Sequence, residues 1–311
     1  MPDQHWTEKD IPDLTGKTAV VTGANSGLGY HATLELARKG AHVIMACRTP
    51  LKAQAAFNQI IKDIPDASLE IISLDLSSLA SIRAFSETFH ARFSGLNILI
   101  NNAGIMAVPQ VLTADGFEMQ FGTNHLGHFA LTGLLLDVLL AIPQSRIVTT
   151  SSLMHQFGVM NFNDLIVQRR YKRWDAYSQS KLANLLFAYE LQRKLLEHKS
   201  TTRSIAAHPG YAATNLQFVH AEMQGSALDR WFNQVANNIF AQSGAQGALP
   251  ELYAATAPQA EGGSFIGPDG WGGSRGYPKA VKSIARSYDL ADAQKLWQVS
   301  EELTGVKYRF E

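Results

Sequence analysis

Tyr177 and Lys181 are two side chains whose types and spacing could perform acid–base chemistry. Residues four positions apart lie on one face of an α-helix, so the phenol and the ammonium would be neighbours. A phenol in water ionises near pH 10, and a neighbouring ammonium favours the phenolate and lowers that pKa. The pair could therefore donate and accept a proton near neutral pH.

The glycine-rich sequence TGANSGLG, residues 22–29, could bind a phosphate, because it follows a β-branched run and precedes a helical pattern. One glycine permits a tight turn, a second lets the backbone approach phosphate, and a third lets helix and strand pack closely. The helix N-terminus offers unpaired N–H groups and a partial positive charge to a pyrophosphate. We expect the dinucleotide to contact Gly23, Asn25, Ser26, Gly27, Leu28 and Gly29.

The elements that position these residues alternate between short apolar strands and longer helices, which predicts βαβ units and a parallel sheet. The fold class is therefore α/β, a Rossmann-type doubly wound sheet with helices on both faces. Strands are predicted at residues 18–22, 42–46, 69–74, 97–101, 146–150, 204–208 and 264–266. Helices are predicted at 29–39, 50–64, 79–93, 124–140, 177–199, 244–257 and 290–304, and a turn-rich loop at 262–276.

The chain of 311 residues contains no convincing linker, so one domain is expected over residues 1–311. Residues 16–150 would form mainly the cofactor-binding half. Residues 151–270 would form the catalytic and substrate half, followed by a C-terminal extension at 271–311. Residues 215–243, which carry Phe218, Met223, Leu228, Trp231, Phe232 and Phe240, would form an apolar lid or simply pack on the sheet.

The glycine spacing, Gly-x3-Gly-x-Gly, resembles that of the short-chain dehydrogenase/reductase family, and further elements of that family's pattern follow in order over residues 16–270. We therefore identify the chain as a member of this family on its sequence pattern. The matching elements are Asp75-Leu76, Asn102-Ala103-Gly104, Asn124 in a helix beginning NHLGHF, Ser151-Ser152, Tyr177-x3-Lys181, and Pro209-Gly210 with Thr214. The resemblance implies that these elements, apart from Asn124 and the two serines, contact the cofactor, with Asp75 at the adenine.

The resemblance implies a role for each catalytic residue. Tyr177 would be the general acid/base, and Lys181 would also hold the nicotinamide ribose hydroxyls. Ser152 would hydrogen-bond the substrate oxygen, and Asn124 would hold a water that links Lys181 to solvent. The insertion before Tyr177 resembles the arrangement in retinol dehydrogenase-like members, in which the second serine of the pair is catalytic. Ser151 would then be a packing neighbour.

Other sequence features resemble the branch of retinol dehydrogenase-like and, more distantly, protochlorophyllide reductase-like members. They are VIMACR in the second strand, the long serine-to-tyrosine spacing, and SKLANLLFAYEL after the tyrosine. The resemblance implies a reductase of aldehydes or ketones, and of the corresponding alcohols in reverse, with an apolar substrate such as a retinoid or a fatty aldehyde. The alternatives are a protochlorophyllide-type C=C reductase and a non-catalytic NADP(H)-sensing protein.

The end of the second predicted strand predicts NADP(H) as the cofactor. An NAD enzyme of this fold usually carries an acidic residue there for the adenosine ribose, but here the strand ends in Ala46-Cys47-Arg48. The Arg48 guanidinium could pair with a 2′-phosphate and stack on adenine. Asn25 and Ser26 could add neutral donors.

Composition narrows the remaining possibilities. The 27 basic and 27 acidic residues cancel, so charge gives no support to a nucleic-acid partner. A single cysteine, the lack of an apolar signal sequence and the lack of a long apolar stretch indicate a cytoplasmic protein with no transmembrane segment. The histidines show no metal-binding spacing. The apolar helices at 124–140 and 177–199 make a homodimer plausible, as in many similar proteins.

Overall fold

Eight strands form one sheet in the order β3-β2-β1-β4-β5-β6-β7-β8. The computed structural model describes residues 5–165, 170–211 and 243–310. Neighbouring strands pair in parallel, except that β8 runs antiparallel to β7. The strands are β1 (Thr18–Thr22), β2 (His42–Cys47), β3 (Leu69–Ser73), β4 (Ile98–Asn101), β5 (Arg146–Thr150), β6 (Arg203–Ala207), β7 (Phe265–Pro268) and β8 (Pro278–Val281).

Helices cover both faces of this sheet, as the apolar strands predicted. The α-helices of the described residues are α1 (Gly27–Arg38), α2 (Pro50–Asp63), α3 (Leu79–His90), α4 (Met119–Phe121), α5 (Gly127–Leu134), α6 (Leu136–Leu140), α7 (Arg173–Glu197), α8 (Gly244–Thr256) and α9 (Leu290–Thr304). A π-helical turn at Gly122–Leu126 joins α4 to α5.

Alternate residues of the central strands divide the core into two layers. Val21 and Met45 face the layer formed with α1, α2 and α8. Val20 and Ile44 face the layer formed with α3, α5, α7 and α9. Successive side chains of a strand point to opposite faces, so one strand supplies both layers. The predicted α/β fold class is confirmed.

The structure corrects two predictions about the elements. An eighth strand, β8, was not predicted, because PKAV begins with proline and carries a lysine. Proline is tolerated at the first residue of an edge strand, where its missing N–H costs no ladder bond. Strand β7, predicted at 264–266 within the turn-rich region 262–276, is present but lies at Phe265–Pro268, so it ends two residues later than predicted.

The predicted helix 124–140 is also divided. The chain leaves helical geometry at Leu135, whose φ and ψ are −106° and 8°, and this residue separates α5 from α6. The π-helical turn before α5 has its wider hydrogen bond from Gly127 N–H to the Gly122 carbonyl. Such turns are frequent at functional sites. Here the turn carries Asn124.

Candidate active site

The residues assigned to catalysis meet at the carboxyl edge of the sheet, where Rossmann-type proteins bind their ligands. Ser152 follows β5, and Asn124 lies in the π-helical turn before α5. Tyr177 and Lys181 lie on α7, which begins four residues before the tyrosine, at Arg173. The predicted pair therefore shares a helical face and is buried, with Tyr177 5% and Lys181 4% exposed.

Lys181 is held by the end of β5. Its Nζ donates a hydrogen bond to the Thr150 carbonyl at 3.1 Å, and Asn184 Nδ2 donates to the same oxygen at 2.9 Å. The ammonium lies 5.8 Å from the centre of the Tyr177 ring. Burial lowers the pKa of Lys181 to about 8. The charge of this side chain is therefore sensitive to its surroundings near neutral pH.

The pKa of the Tyr177 phenol differs from the value expected from the sequence. Burial raises its pKa to about 12, and a hydrogen bond with Ser152 partly offsets that rise. We had expected Lys181 to lower the pKa. The ammonium is instead directed to the Thr150 carbonyl, so desolvation of the phenolate is the larger effect. Tyr177 is therefore held as a neutral phenol that can donate a proton.

The two serines after β5 have different surroundings. Ser151 is buried, and its hydroxyl donates to the Lys181 main-chain carbonyl at 2.8 Å, which ties α7 to the strand end. Ser152 is partly exposed, shares a hydrogen bond with Tyr177, and accepts a bond from Met154 N–H at 3.2 Å. Ser152 is thus the serine beside the phenol.

Asn124 joins three elements through its amide. Oδ1 accepts from Ile105 N–H and Nδ2 donates to the Ile105 carbonyl, both at 2.9 Å, while Nδ2 also donates to Ser180 Oγ at 3.0 Å. Both amide protons are therefore used within the protein. A water between Asn124 and Lys181 would therefore have to donate a hydrogen bond to an Asn124 oxygen, either Oδ1 or the main-chain carbonyl.

The glycine turn fits a bound dinucleotide because backbone groups approach closely where side chains are missing. A Cβ on Gly29 would lie 2.5 Å from both the Gly23 carbonyl oxygen and Asn102 Nδ2. Gly23 has a φ of +68°, a conformation that favours glycine. Ser26 caps α1 without a side-chain hydrogen bond, so this hydroxyl leaves the first N–H groups of α1 to a ligand.

Gly104 leaves space between the glycine turn and the pair Tyr177 and Lys181. A Cβ at this position would lie 3.2 Å from Asn124 Oδ1 and 3.5 Å from Lys181 Nζ. Asn102 and Ala103, the two residues before it, both donate their N–H groups to Thr22 Oγ1 at 3.0 Å. The predicted Asn102-Ala103-Gly104 element thus connects the glycine turn to Lys181.

Residues predicted to contact the adenosine end lie beside this turn. Gly23 N–H donates to the Ala46 carbonyl at 2.9 Å, and the Cys47 thiol faces backbone amides of Ala24 and Asn25. Arg48, the next residue, is exposed. The Asp75 carboxylate caps its own turn by accepting from Ser77 N–H and Oγ, at 2.9 and 2.6 Å.

Leu76 and the Pro209-Gly210 element flank the site on two sides. The Leu76 carbonyl packs against Gly127, where a Cβ would lie only 2.4 Å from that oxygen. Gly210 has a φ of +69°, and a Cβ there would lie 2.3 Å from the Ser274 carbonyl oxygen. Thr214 and residues 215–242 of the predicted lid lie outside the described residues, whereas Ser243 caps α8.

Sequence reasoning missed a buried bridge between the two halves of the site. His128 Nδ1 lies 3.0 Å from the Asn124 carbonyl, and its Nε2 lies 3.0 Å from Thr22 Oγ1. Burial lowers the pKa of His128 to about 4, so the ring is neutral. Because a carbonyl can only accept, Nδ1 carries the proton and Nε2 accepts from the Thr22 hydroxyl. Thr22 could have been noticed in the sequence, because it lies directly before the glycine turn. His128 could not.

The described residues contain neither a metal-binding cluster nor a membrane-spanning helix. Across residues 5–165, 170–211 and 243–310, no three His, Cys, Asp or Glu side chains are grouped so that they could hold a metal ion. None of the helices in these ranges has the length and apolar character needed to cross a bilayer.

The chain is similar to known proteins in sequence and in fold. The short chain dehydrogenase family model matches residues 17–224. Retinol dehydrogenase 14 of Mus musculus is 40% identical over 304 residues, which cover 94% of this chain and 87% of that protein. Retinol dehydrogenase 13 of Homo sapiens is 41% identical over 295 residues, with 94% and 86% covered.

Solved structures extend the likeness to the fold. An uncharacterized protein from Mycobacterium paratuberculosis has a TM-score of 0.81 and 44% identity, with 98% of this chain and 99% of that one covered. A short chain dehydrogenase from Shigella flexneri, complexed with NADP, has a TM-score of 0.62 and 20% identity, with 81% and 97% covered, and shares the fold. The chain belongs to the short-chain dehydrogenase family and is an oxidoreductase. Within that family it is retinol dehydrogenase-like.

Proposed function

We propose that this protein is an NADP(H)-dependent oxidoreductase that interconverts an aldehyde or ketone and the corresponding alcohol. The observation that carries the proposal is the buried Tyr177 phenol, which shares a hydrogen bond with Ser152 and lies one helical turn from the buried Lys181 ammonium. A neutral proton donor, a hydroxyl and a cation in this arrangement suit the oxygen of a carbonyl that becomes an alkoxide.

In the reductive direction, the nicotinamide cofactor supplies the hydride when it is bound. Tyr177 then donates its proton to the substrate oxygen, and Ser152 donates a hydrogen bond to the same oxygen. The phenolate left on Tyr177 would be stabilised by the Lys181 ammonium. Asn124 keeps the loop after β4 in place through Ile105 and fixes α7 through Ser180. In the oxidative direction, Tyr177 accepts the proton.

The placement of Arg48 supports NADP(H) over NAD(H). It directly follows Cys47, whose thiol faces the glycine turn, and its side chain is exposed. Among residues 46–48 there is no carboxylate to bind the two hydroxyls of an adenosine ribose. A guanidinium at this position can form charge-assisted hydrogen bonds with a 2′-phosphate instead.

An apolar substrate is supported by two observations. The relatives of about 40% identity are retinol dehydrogenases. Trp174, whose ring meets that of Tyr177 edge-on at 6.3 Å, is 44% exposed. An indole face beside the phenol provides an apolar surface at the site. A cytoplasmic location stays a prediction from the sequence.

A substrate panel with NADPH tests the proposed function. Short, aromatic, retinoid and long-chain fatty aldehydes are supplied in turn, and the loss of NADPH absorbance is followed. We expect turnover with apolar aldehydes, and turnover lower by at least about a hundredfold in Tyr177→Phe at the same enzyme concentration. Complete inactivity of the wild type with every carbonyl, combined with tight NADPH binding, would contradict the proposal and favour a sensing protein.

A further inference from the structure

A buried carboxyl group lies on the far side of the strand end that holds Lys181. Glu251, on α8, is fully buried, and no sequence motif marks it. Its Oε1 accepts a hydrogen bond from Thr150 Oγ1 at 2.7 Å. Its Oε2 has no hydrogen-bond partner among the described residues. Burying a carboxyl group with one oxygen unbonded is costly, so its retention needs a reason.

Thr150 connects this carboxyl group to the active site with two different atoms. Its side-chain hydroxyl is bonded to Glu251, while its main-chain carbonyl accepts from Lys181 Nζ at 3.1 Å and from Asn184 Nδ2 at 2.9 Å. Thr150 is itself only 4% exposed. The hydrogen bond that Thr150 donates to Glu251 therefore fixes the residue whose main-chain carbonyl orients the Lys181 ammonium.

The charges of Glu251 and Lys181 also act on each other. Burial raises the pKa of Glu251 to about 7, and both the Thr150 bond and the Lys181 charge oppose that rise. Burial lowers the pKa of Lys181 to about 8, and the Glu251 charge opposes that fall. Each group therefore favours the charged form of the other in a region of low dielectric.

Other charged groups near α8 are engaged elsewhere. Arg146, on β5, donates to the carbonyls of Ala254, Ala257 and Ala260, beyond Glu251 towards the C-terminal end of α8. Arg203, on β6, donates to the carbonyls of Pro258 and Ala260.

None of the remaining titratable groups on the neighbouring elements shifts the pKa of Glu251. His31, on α1, lies beside Gly244 at the start of α8. Tyr30, Glu35 and Arg38 on α1, Tyr253 on α8 and Lys279 on β8 complete the set on the elements packed there. On the other side of Lys181, His128 is neutral because burial lowers its pKa to about 4. Lys181 is the charged group that acts on Glu251 in the described part of the chain.

We propose that Glu251 is a positioning residue for Lys181: through Thr150 it fixes the carbonyl that aims the ammonium, and its negative charge keeps that ammonium protonated during turnover. The proposal rests on the function assigned above to Lys181. Glu251 lies across the strand end from Lys181. It therefore stabilises the Tyr177 phenolate only indirectly, by keeping Lys181 charged and in place.

Glu251→Gln tests the proposal through the pH dependence of turnover. Glutamine keeps an oxygen that can accept from Thr150 but removes the charge. Without that charge, Lys181 should lose its proton at a pH about one unit lower. Turnover should then be within about twofold of the wild type at pH 6 and about five- to tenfold lower at pH 8–9. A merely structural loss would lower turnover by the same factor at every pH.

Two further variants complete the design. Glu190→Gln removes another buried carboxylate, which is paired with Arg193 and Lys194 on the opposite half of α7, and its pH profile should match the wild type. Thr150→Val removes only the hydroxyl and should shift the profile in the same direction as Glu251→Gln, by less. An unshifted profile in Glu251→Gln overturns the proposal. If Glu251→Gln does not fold, an unshifted pH profile in Thr150→Val overturns the proposal.

A stability measurement separates failure of this proposal from failure of the proposed function. Denaturant midpoints are compared for wild type, Glu251→Gln, Lys181→Met and the double variant at pH 7.5. Coupled charges predict single-variant shifts that do not add to the shift of the double variant. Additive shifts would overturn the pairing of Glu251 with Lys181. Because no substrate is needed, this result stands even if no carbonyl is turned over.

Discussion

At the scale of single residues, the site depends on where each polar atom points. Lys181 Nζ is aimed at the Thr150 carbonyl, and Tyr177 shares its hydrogen bond with Ser152. The phenol is thereby kept neutral, with a pKa raised to about 12. A neutral phenol is the form that can protonate a carbonyl oxygen. In the proposed reaction, Lys181 would contribute after the proton has left, when the phenolate needs a cation.

Tyr177→Phe should leave NADPH binding nearly intact and lower turnover severely. General acid catalysis typically supplies about a hundred- to ten-thousand-fold, so a loss of that size is expected. Stopped-flow turnover and fluorescence titration with NADPH measure the two effects separately. If the variant kept more than half of the wild-type turnover, Tyr177 would not be the proton donor.

Arg48→Ala should weaken the binding of NADPH and leave the binding of NADH nearly unchanged. Hydrogen bonds to charged groups are worth about 1.5–3 kcal/mol, so the Kd for NADPH should rise roughly ten- to a hundred-fold. NADH has no 2′-phosphate, and its Kd should change little. Titration of both cofactors on both proteins decides this. Equal losses for the two cofactors, or a wild type that prefers NADH, would show that Arg48 does not select the phosphate.

At the scale of elements, close contacts between backbones hold the nucleotide turn and the catalytic turn together. Gly29 packs on Gly23 and Asn102, and Gly127 packs on Leu76. His128 links the β1 end to the π-helical turn through Thr22 and the Asn124 carbonyl. The elements proposed to bind nucleotide and the elements that carry the proposed catalytic side chains therefore form one packed unit.

Gly29→Ala should lower NADPH affinity and stability together. The added Cβ would lie 2.5 Å from the Gly23 carbonyl oxygen, so the turn must move. Overpacking of this kind typically costs about 1–3 kcal/mol. Thermal unfolding and NADPH titration measure both effects.

Gly95→Ala provides the matched control for that substitution. Gly95 precedes β4 at the opposite edge of the sheet, and its added Cβ would press on the flexible end of Ile142. We expect some loss of stability with unchanged NADPH affinity. Equal affinity in Gly29→Ala and the wild type would show that the turn tolerates the methyl group.

At the scale of the whole molecule, the C-terminal segment completes the core over α5 and α7. Trp297, on α9, meets Phe129 edge-on at 5.2 Å and stacks on Phe187 at 6.0 Å. Tyr308 lies 4.8 Å from Phe129 and donates its hydroxyl to the Phe129 carbonyl at 2.7 Å. The apolar face that made a homodimer plausible from the sequence is thus covered by the chain itself.

We therefore expect a monomer. Pairing through α5 and α7 would require α9 to leave, and burial of its Trp297 alone is worth several kcal/mol, since Trp→Ala substitutions in cores cost about 3–5 kcal/mol. Light scattering at micromolar concentration should give a mass near the 34.1 kDa of one chain. Twice that mass would show that another face forms a dimer.

The sequence by itself determined the elements and motifs whose information is local. Short apolar runs and longer helical patterns placed most strands and helices within a few residues of their bounds, and Tyr177 and Lys181 share a face because they are four apart. The glycines that permit the nucleotide turn could be recognised from their spacing, because only glycine tolerates those approaches. The division of the helix at 124–140 and strand β8 could not, because packing against distant residues decides them.

Only the tertiary structure decided the electrostatics of the site. Glu251 and Thr150 are 101 positions apart in the chain, and no local pattern relates them, yet their hydrogen bond lies beside the carbonyl that holds Lys181. The pKa of Tyr177 moved opposite to the prediction, because the sequence shows which charge is a neighbour but not how much water burial removes. Desolvation depends on every atom around a group, and chain folding brings those atoms from all parts of the sequence.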